Sequence, residues 1–189
     1  MYAKYQTDAL VLGSMPRGEA DRYIALYTRE FGLVRARASA VRKESSRMRY
    51  SLMHYTRTRA SLVRGAGGWR VAGAATFHRA PTASPGTAAF ARIALLVARL
   101  VPGEEKNDAL FSILADAHAA LTKDSCDTWA TVELLCVARV LHALGYLSPE
   151  AGAVLFTHTA YAHSDVAEAE THREALLSSV NRALSETQL

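Results

Sequence analysis

The stretch Gly32-Leu33-Val34-Arg35-Ala36-Arg37-Ala38-Ser39-Ala40 alternates small apolar side chains with arginine. Successive side chains of an extended chain point to opposite faces, so Val34, Ala36, Ala38 and Ala40 share one face and Arg35, Arg37 and Ser39 the other. The small apolar face belongs inside and the cationic face in water. Working outward, residues 9–12, 22–28, 55–63 and 69–77 are likewise rich in alternating or β-prone residues. Turn signals separate them, notably Pro16-Arg17-Gly18 and Gly65-Ala66-Gly67-Gly68. Five short strands ahead of residue 78 predict a small barrel. Gly65-Ala66-Gly67-Gly68 reads as a hairpin connection, because strands and not a helix flank it.

Beyond Pro81-Thr82-Ala83-Ser84-Pro85-Gly86, read as a linker, the apolar period changes from 2 to 3.6. Phe90, Ile93, Val97 and Leu100 mark a first helix ended by Pro102-Gly103, and Leu110, Leu114, Ala117 and Leu121 mark a second. A third, residues 127–144, is apolar nearly all round and predicts a central buried helix that stops at Gly145. A last amphipathic helix is expected over residues 166–186, aligning Leu176, Val180 and Leu184. The fold class expected is therefore α+β: a barrel over residues 1–80, a linker over 81–86 and an all-α domain over 87–189. No internal repeat is present.

The net charge of +4 hides a division. Residues 1–80 carry 15 Lys and Arg against 5 Asp and Glu, whereas residues 81–189 carry 7 against 13. Such asymmetry points the first half toward a polyanion, without separating DNA from RNA or an acidic protein. Period 2 puts Tyr55, Arg57 and Arg59 on one face, a second basic stripe that is expected to neighbour Arg35 and Arg37. Between the stripes, Arg42-Lys43-Glu44-Ser45-Ser46-Arg47-Met48-Arg49-Tyr50 reads as a flexible basic loop with hydroxyl donors and an aromatic, suited to phosphates and unstacked bases. A five-stranded barrel with a basic face and a basic loop fits an OB-fold that holds a single strand. Barrels of the SH3 type share the periodicity.

With 189 residues, 50% of them hydrophobic, 21% charged, and only 11 Gly and 5 Pro, the chain can bury a core and is not of disordered or collagen-like composition. The longest apolar run, residues 93–98, is bracketed by Arg92 and Arg99 and falls far short of the roughly 20 residues that span a bilayer. Met1-Tyr2-Ala3-Lys4-Tyr5-Gln6-Thr7-Asp8 lacks the apolar run of a signal peptide, so a cytoplasmic location is expected. Cys126 and Cys136, ten residues apart, match neither a zinc knuckle nor a redox motif and read as buried thiols. Thr157, His158, His163, Asp165 and His172 cluster in sequence, but neither H-E-x-x-H, G-x-S-x-G nor a P-loop occurs anywhere in the chain. No cofactor or catalytic residue is expected.

The stretch from Gly18-Glu19-Ala20-Asp21-Arg22 through Thr28-Arg29-Glu30-Phe31-Gly32, followed by Ala38-Ser39-Ala40-Val41-Arg42-Lys43 and Ser46-Arg47, resembles the N-terminal domain of the bacterial recombination mediator RecO family. Thr7-Asp8-Ala9-Leu10-Val11-Leu12, Leu62-Val63-Arg64-Gly65, Leu141-His142-Ala143-Leu144-Gly145-Tyr146-Leu147 and Ala183-Leu184-Ser185 add to the resemblance, which spans nearly the whole chain. It implies an N-terminal OB-fold that binds single- and double-stranded DNA, followed by a helical domain. Such proteins break no bonds. They anneal complementary strands and, with RecR, load RecA onto DNA coated by single-strand-binding protein.

On that resemblance Arg35, Arg37, Arg42, Lys43, Arg47, Arg49, Arg57 and Arg59 are the expected phosphate contacts, with Tyr55, Tyr23 and Tyr50 as stacking candidates. Gly18 and Asp21 are expected to shape the turn, with Asp21 holding it or pairing with Arg22. Single-strand-binding protein is expected on the helical domain, at a basic pocket involving Arg92, Arg99 or Arg139. The four-cysteine zinc module that many members carry is absent, since Leu144-Gly145-Tyr146-Leu147 runs into Ser148-Pro149-Glu150-Ala151-Gly152. The chain is also short for the family. Two other readings stay open on the residues alone: an RNA-binding or translation-associated OB-fold module, and an adaptor whose acidic helical half binds protein.

Overall fold

The structure is a computed structural model and describes residues 3–123, 128–148 and 153–187. Five strands come first: β1 (Lys4–Arg17), β2 (Asp21–Thr28), β3 (Gly32–Ala38), β4 (Thr56–Gly65) and β5 (Gly68–Arg79). They close into a barrel of order β1-β2-β3-β5-β4, with β4 antiparallel to β1 and β5 parallel to β3. The alternation predicts a small barrel, and the strand order makes it the five-stranded Greek-key barrel of an OB-fold. Five helices follow: α1 (Pro85–Leu100), α2 (Asp108–Leu121), α3 (Trp129–Ala143), α4 (His163–Thr171) and α5 (Arg173–Glu186). The fold class is α+β, an OB-fold followed by helices. Two compact units result, one of residues 1–80 with 94–111 and the other of residues 81–93 with 112–187.

Inside the barrel, Ala9 and Val11 of β1, Ile24 and Leu26 of β2, Val34, Ala36 and Ala38 of β3, Ala60 and Leu62 of β4, and Trp69 and Val71 of β5 form one buried cluster. Each fully buried Ile, Leu or Val stabilises by about 1.5–3 kcal/mol relative to exposure. Small residues dominate β3 because the barrel is narrow. On the outer face of β2 the buried Tyr27 stacks on Phe111, with ring centroids 6.5 Å apart, and the Leu33 N–H donates to the Gly103 carbonyl.

Several boundaries differ from expectation for identifiable reasons. β1 is far longer than residues 9–12, because Lys4–Asp8 pair with β4 and Gly13–Arg17 pair with β2 despite their polar content. β3 stops at Ala38, short of the end of the alternating stretch of residues 32–40. There Ala40 takes φ +52° and gives its N–H to the Asp21 carboxylate instead of the ladder. Residues 42–50 are not an open loop. Backbone bonds Lys43 to Ala40, Ser46 to Lys43, Arg49 to Ser46 and Leu52 to Met48 fold them into successive turns, while Val41 and Leu52, with Met48 beside them, plug the barrel core. α1 begins within the expected linker, at Pro85, with the Ser84 hydroxyl capping the Thr87 N–H at 3.0 Å.

In the second unit α3 is the central helix, burying Val132, Leu135, Cys136, Val140 and Leu141, and α4 and α5 pack against it. Gly145, at φ +81°, ends it, with the Tyr146 N–H bonded back to the Leu141 carbonyl. The expected start at Asp127, and Cys126, lie outside the described residues. The single last helix is in fact two, divided at His172, whose ψ of 15° departs from the helical value. Thr171 Oγ1 bonds to the Ala167 carbonyl one turn back, a bond that bends helices. A short 3-10 turn, Ala153–Phe156, precedes α4.

Candidate nucleic-acid interface

The β1–β2 turn is built by Gly18 and Asp21. Gly18 takes φ +59°, which a residue with a Cβ adopts at a cost, and leaves its carbonyl to accept from Arg42 Nη1 at 3.1 Å. Asp21 pairs with Arg37, not with Arg22: one carboxylate oxygen receives Arg37 Nε at 2.8 Å and Nη2 at 2.6 Å, and the other the Ala40 N–H at 2.8 Å. The Ala40 amide and the Arg37 guanidinium hold this carboxyl below the ordinary aspartate range. Arg37 is thereby aimed along the outer face of β3, its side chain still 46% exposed. At the far end of β2 the Thr28 hydroxyl donates to the Gly32 carbonyl and accepts the Phe31 N–H. Gly32 has φ +62°, and a Cβ there would lie 2.1 Å from the Glu105 carbonyl oxygen. The Thr-x-x-x-Gly spacing is thus a turn that only glycine can close.

Strand register brings Arg70 of β5, Arg37 of β3, Tyr23 of β2 and Met15 of β1 into one row across the outer face. The row behind it holds Arg35, Ala25 and Gly13. Arg17 lies over the Tyr23 ring, 4.7 Å from its centroid, and donates to its hydroxyl. Arg17, Tyr23, Arg37 and Arg70, closed on one side by the Gly65–Gly68 hairpin turn, line a cleft of about 380 Å³. An open channel with three guanidiniums and a half-buried aromatic between two loops offers phosphate partners and one flat ring for a base. This is the strand 2–3 face, between the β1–β2 and β4–β5 loops, with which OB-folds take oligonucleotides.

The expected residues do not form one surface. Because β5 on one side and β1 with β2 on the other separate β3 from β4, the two stripes are not neighbours. Arg57 and Arg59 instead flank Phe77, 5.9 and 4.8 Å from its ring centroid, and Arg59 also meets Asp8 at 3.4 Å. Tyr55 is not on the β4 stripe. It precedes the strand at φ +59°, so period 2 does not reach it, and its half-buried ring lies against His54. Burial and the Arg22 charge hold the His54 imidazole below its ordinary value. Lys43 and Arg47 are exposed on the turns of residues 42–50, and Arg42 and Arg49 share a second cleft with Arg22 and Tyr50.

Sequence reading missed Arg17, Arg70, Arg79 and Phe77. Arg17 and Arg70 were visible as cations beside turn signals. Phe77 was not. Strict period 2 from Trp69 puts it on the core face, but register shifts at Ser61/Leu62 and Arg57/Thr58 leave Ala72 and then Phe77 unpaired, and Phe77 emerges 50% exposed.

In the helical unit two of the three arginines expected at a pocket are already engaged. Arg92 makes a two-bond pair with Glu133, 2.6 Å each, and Arg139 is buried, donating to the carbonyls of Leu155, Thr159 and Ala160. Arg99 is exposed. His158 Nε2 lies 2.9 Å from the Asp165 carboxylate, which also accepts the Ala162 N–H at the start of α4. Burial alone raises that carboxyl, but the two partners outweigh it and hold it below its ordinary value.

Residues 1–71 match the family described as recombination protein O N terminal. Over 142 residues the chain is 35% identical to the DNA repair protein RecO of Pelotomaculum thermopropionicum, covering 72% of this chain and 55% of that one. Over 172 residues it is 26% identical to the DNA repair protein RecO of Dehalococcoides mccartyi, covering 80% and 68%. The chain belongs to the RecO family. It spans about half the length of the first of these relatives. Within this RecO-family chain the Gly-Glu-x-Asp-Arg motif is explained by the turn that Gly18 shapes and by the Arg37 and Ala40 partners of Asp21. Among the described residues no helix is long and apolar enough to cross a membrane.

Proposed function

We propose that this chain is a DNA repair and recombination mediator that binds single- and double-stranded DNA through its OB-fold, residues 1–80, and anneals complementary strands. It acts with RecR to load RecA onto DNA coated by single-strand-binding protein, in the cytoplasm at the nucleoid. The observation that carries the reading is the cleft in which Arg17, Arg37 and Arg70 surround Tyr23. Its chemistry is binding: guanidiniums replace the counterions of a phosphate backbone, and two backbones so neutralised approach each other at lower electrostatic cost. No bond-breaking step is assigned to any residue.

Single-strand-binding protein is assigned to the helical domain. With Arg92 paired to Glu133 and Arg139 buried, Arg99 is the member of the expected trio offered to its acidic tail. The test is fluorescence anisotropy of a labelled single strand across salt concentrations, followed by addition of the unlabelled complement. Binding that falls steeply with salt, with faster pairing than the strands achieve alone, is expected. Absence of binding at low salt discards the reading and favours the adaptor alternative. A marked preference for RNA oligonucleotides favours the RNA-binding alternative.

A further inference from the structure

We propose that the barrel carries a second single-strand site, on the surface joining Tyr50 to Phe77, so that one molecule holds two strands at once. This rests on the DNA-binding reading above and extends it to a surface outside the cleft of strands β2 and β3. Phe77 is 50% and Tyr50 57% exposed, so neither ring gives the barrel much burial. Two guanidiniums lie over each ring: those of Arg57 and Arg59 over Phe77, and those of Arg79 at 5.5 Å and Arg49 at 6.0 Å over Tyr50. A bond of 2.9 Å from the Thr76 hydroxyl to the Ser51 hydroxyl ties the residue before Phe77 to the residue after Tyr50. The two rings therefore belong to one continuous surface.

Beyond Tyr50 the surface opens into a cleft of about 490 Å³ that Arg22, Arg42 and Arg49 also line. It shares no residue with the cleft around Tyr23. Arg22, which lines this cleft and gives Nη1 to the Ser14 hydroxyl at 3.4 Å, and Arg57, beside Phe77, each bury an Nε with no hydrogen-bond partner, an arrangement that costs stability. Along this surface Arg59 is paired with Asp8, and Glu44 is exposed on the turns of residues 42–50. Cations in excess meet anions, and flat exposed rings beside them meet flat partners. A single strand supplies both, as phosphates and unstacked bases. A duplex buries its base faces, and an acidic peptide offers carboxylates with nothing regular to stack. Holding both strands on one protomer turns their encounter into an intramolecular event.

The test loads the 189-residue chain onto surface-tethered oligothymidylate and then offers fluorescent oligothymidylate, which cannot pair with the first. Wild type is expected to capture the second strand, and native mass spectrometry to find two strands on one protomer. Phe77→Ala with Tyr50→Ala is expected to keep first-strand affinity within about twofold and to lower capture by about tenfold or more, the loss typical of one or two stacking interactions. Phe77→Leu with Tyr50→Leu keeps the apolar volume but not the ring, and is expected to lose capture equally. Arg37→Ala with Arg70→Ala is expected to weaken first-strand loading. Undiminished capture by the aromatic variants, equal loss of both strands, or one strand per wild-type protomer overturns the inference alone. So does an acidic peptide that displaces the second strand and loses its own binding in the same variants. Failure of wild type to load the first strand overturns the DNA-binding reading as well.

Discussion

Arg37 of β3 and Arg139 of α3 both sit mid-element among apolar residues, yet Arg37 leaves 46% of its side chain in water and Arg139 only 1% of the residue. The difference comes from geometry. A strand has two faces, so an arginine alternating with Ala36 and Ala38 reaches solvent without disturbing the core. A helix that is apolar nearly all round has no such face. Arg139 is held internally, by the three carbonyls and by lying 4.7 Å from the Tyr161 ring centroid, while its Nη2 is buried with no hydrogen-bond partner. Arg37 stays available to a ligand, while Arg139 holds the structure of its own unit. Charge counts by themselves do not separate the two uses.

The sharpest way to break this contrast is Arg139→Met, which keeps the length and removes three charged hydrogen bonds. Each is worth about 1.5–3 kcal/mol, against which the guanidinium's desolvation must be set, and a net loss of about 3 kcal/mol is expected. The urea midpoint measures it. An unchanged midpoint means that burying the charge cancels its bonds and that Arg139 is not a structural arginine. DNA binding at temperatures where the variant is folded is expected to persist.

Next in size, Arg37→Ala with Arg70→Ala is expected to lower the midpoint only by the about 0–1 kcal/mol of an exposed ion pair, while weakening single-strand binding by about tenfold and lowering the salt slope by about 0.7 for each phosphate that is no longer neutralised. A stability loss without a slope change puts these arginines with Arg139. Asp21→Asn acts more gently. It removes the anion that holds Arg37, so single-strand affinity is expected to rise a few-fold at low salt and to converge with wild type at high salt. The same residue has a pH signature. Because its folded carboxyl titrates below the ordinary 3.8, its stabilising contribution is fully present above that value and is lost as pH falls through the lower folded value. The Asp21→Asn chain is expected to lack that part of the acid limb in a thermal-melt series.

The smallest effect is expected at Cys136. Burial pushes its thiol up to about 12, so alkylation at neutral pH should leave it unmodified until the protein unfolds. Peptide mass spectrometry of the labelled chain before and after urea reads this directly. Rapid native labelling shows that α3 opens locally.

The alternation of residues 33–38 was enough to place Arg35 and Arg37 outside and Val34, Ala36 and Ala38 inside, because a strand flanked by tight turns admits few alternatives. Helix faces were equally legible: Phe90, Ile93 and Val97 are all fully buried. Tyr55 was misread and Phe77 missed for a common reason. One takes a left-handed backbone and the other is an unpaired bulge residue, and either feature resets the side-chain phase without changing the composition. The length of β1 was hidden because its ends are polar, and their pairing depends on β2 and β4 being in reach. The turns of residues 42–50 were hidden because their order comes from Val41, Met48 and Leu52 entering the barrel core.

The sequence by itself determined how much positive charge the first half carries, which residues of most strands face the core, and where α1, α2 and α3 stop. These are local matters of period, capping and turn chemistry. Tertiary structure alone decided which cations stand together. Arg37 and Arg70 are neighbours because β3 and β5 pair in parallel, and Arg35 and Arg59 are separated because β4 closes onto β1. Such pairings follow from closing the barrel over Trp69, Leu62 and Ala36. That free energy is shared among distant residues, and no short stretch of sequence expresses it.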